Sequence, residues 1–178
     1  MPVPYKVARW RMKNIVLIGF MGTGKSVVGK RLAKQLKMKF ISTDDIIEKR
    51  ENRPITKIFE EEGEPYFRKL EKDAVKEVSG LDNVVVAAGG GVVLDEENIA
   101  NLKNKGVMVC LNASPAVIYE RTRKYKHRPL LNTENPVERI KEFLNIRAPF
   151  YQRADYQVDT SNKSVQEVVR EVIKILDK

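Results

Sequence analysis

The stretch NIVLIGFMGTGKSVVGKRLAKQLK, residues 14–37, decides the fold. Its first part, Ile15-Val16-Leu17-Ile18, is apolar without alternation, as a strand covered on both faces must be. Its last part, residues 25–37, sets Val27, Val28, Leu32, Ala33 and Leu36 at helical spacing. Between them GFMGTGKS, residues 19–26, fits G-x-x-x-x-G-K-[ST] in the strand-then-helix setting that the motif requires. Glycines let the backbone curl until successive N–H groups point inward at phosphate oxygens. The helix that follows adds the positive end of its dipole. Lys25 is placed to reach β- and γ-phosphates, and Ser26 to ligate Mg²⁺. Gly22, Thr23, Gly24, Lys25, Ser26 and Val27 are therefore the candidate phosphate-binding set. No guanine-reading N/T-K-x-D segment occurs, so the expected ligand is ATP.

Working outward, strands and helices alternate. Phe40-Ile41 reads as a second strand, and TDDIIEKRE starts a helix with Thr43 as its N-cap. Pro54 opens a short helix that Gly63 stops, and residues 64–79 are amphipathic again. Asn83 to Ala88 form a third apolar strand, followed by three glycines. A helix around 95–104, a strand at 107–112 and a helix at 115–123 come next. Residues 124–134, KYKHRPLLNTE, are polar and basic and read as a mobile loop. A helix at about 136–152, a strand at Tyr156-Gln157-Val158 and a helix at 164–177 end the chain. Continuous apolar strands separated by helices predict a parallel sheet with helices on both faces, an α/β fold in three layers.

With 178 residues the chain has room for one well-filled domain, read as residues 12–178 after a loosely held extension. That extension, residues 1–11, carries three cations, two prolines and no acid, and lacks the apolar core of a secretory signal. No apolar run is long enough to span a membrane. The net charge of +9 is spread among acids, as in EKRENR, so a solvated surface is expected rather than a nucleic-acid stripe. The lone cysteine, Cys110, lies in VMVCL and reads as a small buried strand residue. A cytoplasmic setting fits this cysteine usage.

Several residues bear on what accepts the phosphate. Asp44 follows the second strand, at the sheet edge that faces the phosphate loop. It suits a substrate hydroxyl whose proton must leave, and equally a helix-start carboxylate beside the dipole. Arg68, in EPYFRKLE, is either a surface cation or an anion ligand. Gly89-Gly90-Gly91 follows an apolar strand, where the missing Cβ atoms allow backbone to approach a ligand. Arg128, in KHRPLL, sits in the mobile loop and can swing onto a transferring phosphate, with His127 beside it as a solvated neighbour. Arg147 precedes Ala-Pro in mid-helix. A proline there costs about 3 kcal/mol, so a kink that aims Arg147 inward is expected.

GFMGTGKS, TDD, FRKLE, AGGGVV, RPLL and RAPFY, in this order and at these distances, resemble shikimate kinase over about residues 13–176. The resemblance implies an adenylate-kinase-like P-loop fold with a five-stranded parallel sheet, a lid at about 124–134 and a substrate-binding helical segment at about 43–79. It implies MgATP and shikimate as ligands, with shikimate 3-phosphate and ADP as products. Lys25 and Ser26 would hold the phosphates and Mg²⁺. Asp44 would bind the shikimate hydroxyls as the base, and Arg68 and Arg147 would grip its carboxylate. Gly89, Gly90 and Gly91 would line that pocket, and Glu71 would support it by pairing with an arginine. Arg128 would be the lid arginine. Arg121 would pack on adenine, with Val158-Asp159-Thr160 leading into the adenine loop. A monomer is expected.

One departure stands out: Ser42 replaces the first aspartate of the family's Asp-x-Asp, which implies weaker support for Mg²⁺ or use of another group. Two rival readings follow from the residues. One is a gluconate or nucleoside monophosphate kinase of the same fold. The other is a P-loop protein that binds nucleic acid through Lys6, Arg9 and Arg11.

Overall fold

A computed structural model describes residues 13–125, 131 and 133–178. The basic extension, His127, Arg128 and most of the expected lid lie outside the described residues. Five strands form one parallel sheet: β1 (Asn14–Ile18), β2 (Lys39–Ser42), β3 (Val84–Ala87), β4 (Gly106–Asn112) and β5 (Tyr156–Asp159), in the spatial order β2-β3-β1-β4-β5. Seven α-helices are described: α1 (Lys25–Leu36), α2 (Thr43–Glu51), α3 (Ile55–Ser79), α4 (Glu96–Lys105), α5 (Pro115–Thr122), α6 (Pro136–Tyr151) and α7 (Val165–Leu176).

The strand side chains alternate between two cores, which is why the strands read as unbroken apolar runs. Ile15, Leu17, Val85, Val109 and Leu111 pack on one face against Val28 and Leu32 of α1 and Val169 and Val172 of α7. Val16, Ile18, Val86, Met108 and Cys110 pack on the other against α3, α4, α5 and α6. The expected three layers and five parallel strands are both present. Cys110 is fully buried as expected, and burial pushes its thiol up to about 12 despite nearby Lys25.

Two local expectations are corrected. The N-cap of α2 is Ser42, not Thr43: the Ser42 hydroxyl accepts from the Asp45 N–H at 3.3 Å. Thr43 is helical, and its hydroxyl turns to the Gly89 N–H at 3.0 Å. Pro149 lies in the last turn of α6, near its end at Tyr151, not mid-helix. There it removes one late helix bond, and Arg147 is buried as expected. Gly63 does stop the first part of α3, with φ of 80° and ψ of 176°, after which the helix resumes. A small third core of Ile47, Ile58, Phe67, Leu70 and Ala74 holds α2 and α3 together. No helix among the described residues is long and apolar enough to cross a membrane.

Candidate active site

The strand ends of a parallel sheet leave a crevice at the C-terminal edge, and the candidate residues gather there. The turn from β1 to α1 carries positive φ at Gly19 (139°), Gly22 (78°) and Gly24 (97°), the region that favours glycine. Within this turn Lys25 Nζ donates to the carbonyls of Gly19 at 2.8 Å and Phe20 at 3.0 Å. Thr23 closes the loop: it is 1% exposed, and its hydroxyl donates to the Phe20 carbonyl at 2.8 Å. A cavity of about 370 Å³ opens over the loop. Met21, Gly22, Gly24, Lys25, Ser26 and Val27 line it from the loop, and Ser42, Asp44, Ala87 and Ala88 from β2, α2 and β3. Arg121, Thr122 and Tyr125 complete the wall. Thus five of the six expected phosphate-binding residues face the cavity, while Thr23 supports the loop from behind.

The oxygen donors in this cavity suit a hard cation. Ser26 and Ser42 bring hydroxyls and Asp44 a carboxylate to the same wall. Among the described residues no group of three or more His, Cys, Asp or Glu side chains is poised for a metal. A Mg²⁺ here would draw its other ligands from phosphate and water, as Mg²⁺ commonly does.

The three glycines after β3 each approach a different charged group. A Cβ on Gly89 would sit 2.9 Å from both Asp44 Oδ1 and Glu71 Oε2. A Cβ on Gly90 would sit 3.4 Å from Arg147 Nη1, and one on Gly91 would overlap Arg68 Nη1 at 2.2 Å. The triplet therefore gathers one aspartate, one glutamate and two arginines from α2, α3 and α6 around a bare stretch of backbone. Each is held. Arg68 Nη1 donates to Glu71 Oε1 at 2.8 Å, and its Nε and Nη2 donate to Glu64 Oε1 at 3.2 and 3.0 Å. Arg147 is 6% exposed and lies over the rings of Phe20 and Phe143, 5.3 and 5.4 Å from their centres.

Electrostatics tie the group together. Burial raises the pKa of Glu71, which is 2% exposed; Arg68 opposes the shift and Asp44 adds to it. Burial works against the charge on Arg68, but Glu71 and Glu64 outweigh it and the pKa rises. Tyr151 donates its hydroxyl to the Gly90 carbonyl at 2.8 Å, and burial pushes its phenol up to about 12 although Arg147 opposes the shift. Thr43 and Tyr151 thus fix the backbone of Gly89 and Gly90, and sequence reading missed both. The available signals were the adjacency of Thr43 to Asp44 and the i,i+4 spacing of Tyr151 from Arg147 on one helix.

At the other side of the loop, Arg121 lies beside Thr160. Its Nη1 reaches Thr160 Oγ1 at 3.0 Å and the Gly22 carbonyl at 3.2 Å, and its Nη2 reaches the Thr160 carbonyl at 2.8 Å. The crevice can thus hold a polyphosphate on the loop, an anion on two arginines and a hydroxyl on Asp44.

Comparison with known proteins agrees with this geometry. Residues 21–177 match the shikimate kinase family model. A shikimate kinase of Caldanaerobacter subterraneus subsp. tengcongensis is 53% identical over 163 residues, covering 92% of this chain and 95% of that protein. The solved shikimate kinase of Acinetobacter baumannii in complex with shikimate superposes with a TM-score of 0.90 at 34% identity, over 94% of each chain. That of Aquifex aeolicus gives 0.77 at 38% identity, covering 92% of this chain and 95% of the other.

Proposed function

The chain belongs to the shikimate kinase family, and from that premise we propose that it transfers the γ-phosphoryl group of ATP to the 3-hydroxyl of shikimate. The observation that carries this reading is the convergence of Asp44, Glu71, Arg68 and Arg147 on Gly89, Gly90 and Gly91, beside the phosphate loop. Shikimate offers one carboxylate and three hydroxyls. Two guanidiniums suit the carboxylate through charge-assisted hydrogen bonds, each worth about 1.5–3 kcal/mol. Asp44 suits the hydroxyls, orients the attacking oxygen and takes up its proton. It would repel a second phosphate, which favours shikimate over a nucleoside monophosphate.

Lys25 lies on the cavity wall with the loop and neutralises charge on the transferring group. Gly22, Gly24 and Ser26 hold the triphosphate, Thr23 and Val27 shape the loop, and Arg121 borders the nucleotide. Arg128, outside the described residues, would reach the phosphates from the lid at about 124–134. Glu71 is a positioning residue, since its bond fixes the Arg68 fork. Mg²⁺ supplies charge neutralisation when bound with the phosphates, and the Ser26 hydroxyl would hold it, with Ser42 in place of an outer carboxylate. All of these roles fall within one kinase domain, residues 12–178, with the acceptor held by the segment at about 43–79. The described part of the site draws on one chain, which fits a monomer. The single cysteine, a free and buried thiol, fits a cytoplasmic setting.

Product analysis tests this reading. Incubation with MgATP and shikimate, gluconate or AMP, followed by mass spectrometry, should show one added phosphoryl group on shikimate alone. Phosphorylated gluconate, or ADP from AMP, without shikimate phosphate would replace it.

A further inference from the structure

Thr160, at the end of the edge strand β5, is 2% exposed, and its N–H, carbonyl and hydroxyl all have polar partners. Its N–H donates to the Asn112 carbonyl at 2.8 Å, which ties β5 to β4. Its carbonyl accepts from Arg121 Nη2 at 2.8 Å. Its hydroxyl accepts from Arg121 Nη1 at 3.0 Å, and its own proton goes to the Thr23 carbonyl at 3.1 Å or the Asn112 carbonyl at 3.0 Å. Arg121 Nη1 also reaches the Gly22 carbonyl of the phosphate loop at 3.2 Å. One buried hydroxyl therefore joins the end of the sheet, the back of the phosphate loop and a cation on the cavity wall.

The sheet order gives this junction a direction. Asp44 and the glycine triplet follow β2 and β3, on one side of β1; Thr160 and Arg121 follow β5 and β4, on the other. The phosphoryl group moves toward Asp44, so the rest of the nucleotide extends toward β4 and β5. Guanidinium hydrogen bonds lie in the plane of the group. Two bonds to Thr160 and one to Gly22 fix that plane and leave its faces for stacking on a base.

We infer that Thr160 is a positioning residue for the donor nucleotide: it orients Arg121 against the base and ribose end. The inference rests on the assignment of this cavity to ATP and is independent of the acceptor. A hydroxyl is needed because a methyl there would leave Arg121 Nη1 and the loop carbonyl without their shared partner. Thr160→Val keeps the volume and removes the hydroxyl, while Thr160→Ser restores it.

Affinity is read by calorimetry on a non-hydrolysable ATP analogue and on inorganic tripolyphosphate, which lacks base and ribose. A misoriented Arg121 loses its stacking contact with the base, which corresponds to about tenfold in affinity. Thr160→Val should therefore bind the analogue about tenfold more weakly, with tripolyphosphate affinity within about twofold of wild type and Thr160→Ser close to wild type. In an Arg121→Ala background, Thr160→Val should have no further effect on the analogue. Unchanged analogue affinity in a folded Thr160→Val would overturn the inference. So would equal weakening of both ligands, which would make Thr160 a support of the loop alone. If Thr160→Val does not fold, the decision passes to Thr160→Ser, which must retain analogue affinity. Failure of wild-type enzyme to bind the analogue would instead refute the ATP assignment, and failure of turnover with shikimate would refute only the acceptor.

Discussion

A methyl group added at Gly91 should act almost entirely on the acceptor side. In Gly91→Ala the new Cβ would lie 2.2 Å from Arg68 Nη1 and 2.7 Å from its Cζ and Nη2. Relief to an ordinary contact of 3.4 Å requires the guanidinium to retreat by roughly 1.2 Å. Arg68 is not a free surface side chain that moves without loss, because Nη1 is bonded to Glu71 Oε1 at 2.8 Å and Glu71 is 2% exposed. The retreat stretches that bond toward 4 Å and shifts the fork that meets the substrate carboxylate. Loss of one charge-assisted bond, about 1.5–3 kcal/mol, raises the KM for shikimate by about tenfold to a hundredfold. Leaving Glu71 poorly paired lowers stability by about 1–3 kcal/mol. The KM for ATP should stay within about twofold, since neither residue lines the cavity over the phosphate loop. Initial rates with each substrate varied in turn, beside a urea melt, make the measurement. An unchanged shikimate KM in a folded variant, or an equal rise in both KM values, would refute the reasoning.

Three further outcomes are expected. Ser42→Asp keeps the cap of α2, because aspartate caps as well as serine, while adding a carboxylate to the cavity wall. Titration with Mg²⁺ should show half-activation at lower concentration, and an identical Mg²⁺ curve would exclude a role for this position. Asp95 caps α4 through the N–H groups of Glu97 and Asn98; burial raises its pKa, but those bonds and Lys72 outweigh burial and lower it. An unfolded aspartate titrates near pH 4, so this contribution is present above that pH and fades as pH falls through the depressed folded value. Asp95→Ala should thus cost about 1 kcal/mol at pH 7 in urea melts and less below about pH 4; a cost that grows on acidification would contradict the sign. Cys110, fully buried with its pKa pushed up to about 12, should react with a disulfide reagent only on unfolding. Reaction at the rate of a free thiol in native enzyme would contradict its burial.

Sequence reading worked best where one force dominated. The all-buried β1 and β3 announced a parallel sheet because both faces of each strand need apolar cover. The edge strands β2 and β5 are half solvated, and only two or three residues of each stood out. The α2 cap was misplaced by one residue because Ser42 and Thr43 carry equivalent hydroxyls. Only the sheet register, with Ser42 opposite Ala87, decides which of them begins the helix. Pro149 was read as mid-helix although the expected helix, about 136–152, already put it in the last turn, where the structure has it. Arg68, Arg147, Asp44 and Glu71 were legible through their motifs. The roles of Thr43 and Tyr151 in fixing the glycine backbone were not read, because the local spacing that links them to Asp44 and Arg147 does not show which distant backbone group each hydroxyl meets.

The central claim is that two arginines gathered by a glycine triplet present shikimate to a triphosphate on the neighbouring loop. Its most direct measurement is ADP formation from MgATP with and without shikimate, for wild type, Arg68→Ala and Arg147→Ala. The account predicts shikimate-dependent turnover, with the KM for shikimate raised at least about tenfold in each variant and the KM for ATP unchanged. Shikimate-independent ADP formation in wild type, or variants that use shikimate as well as wild type does, would contradict it.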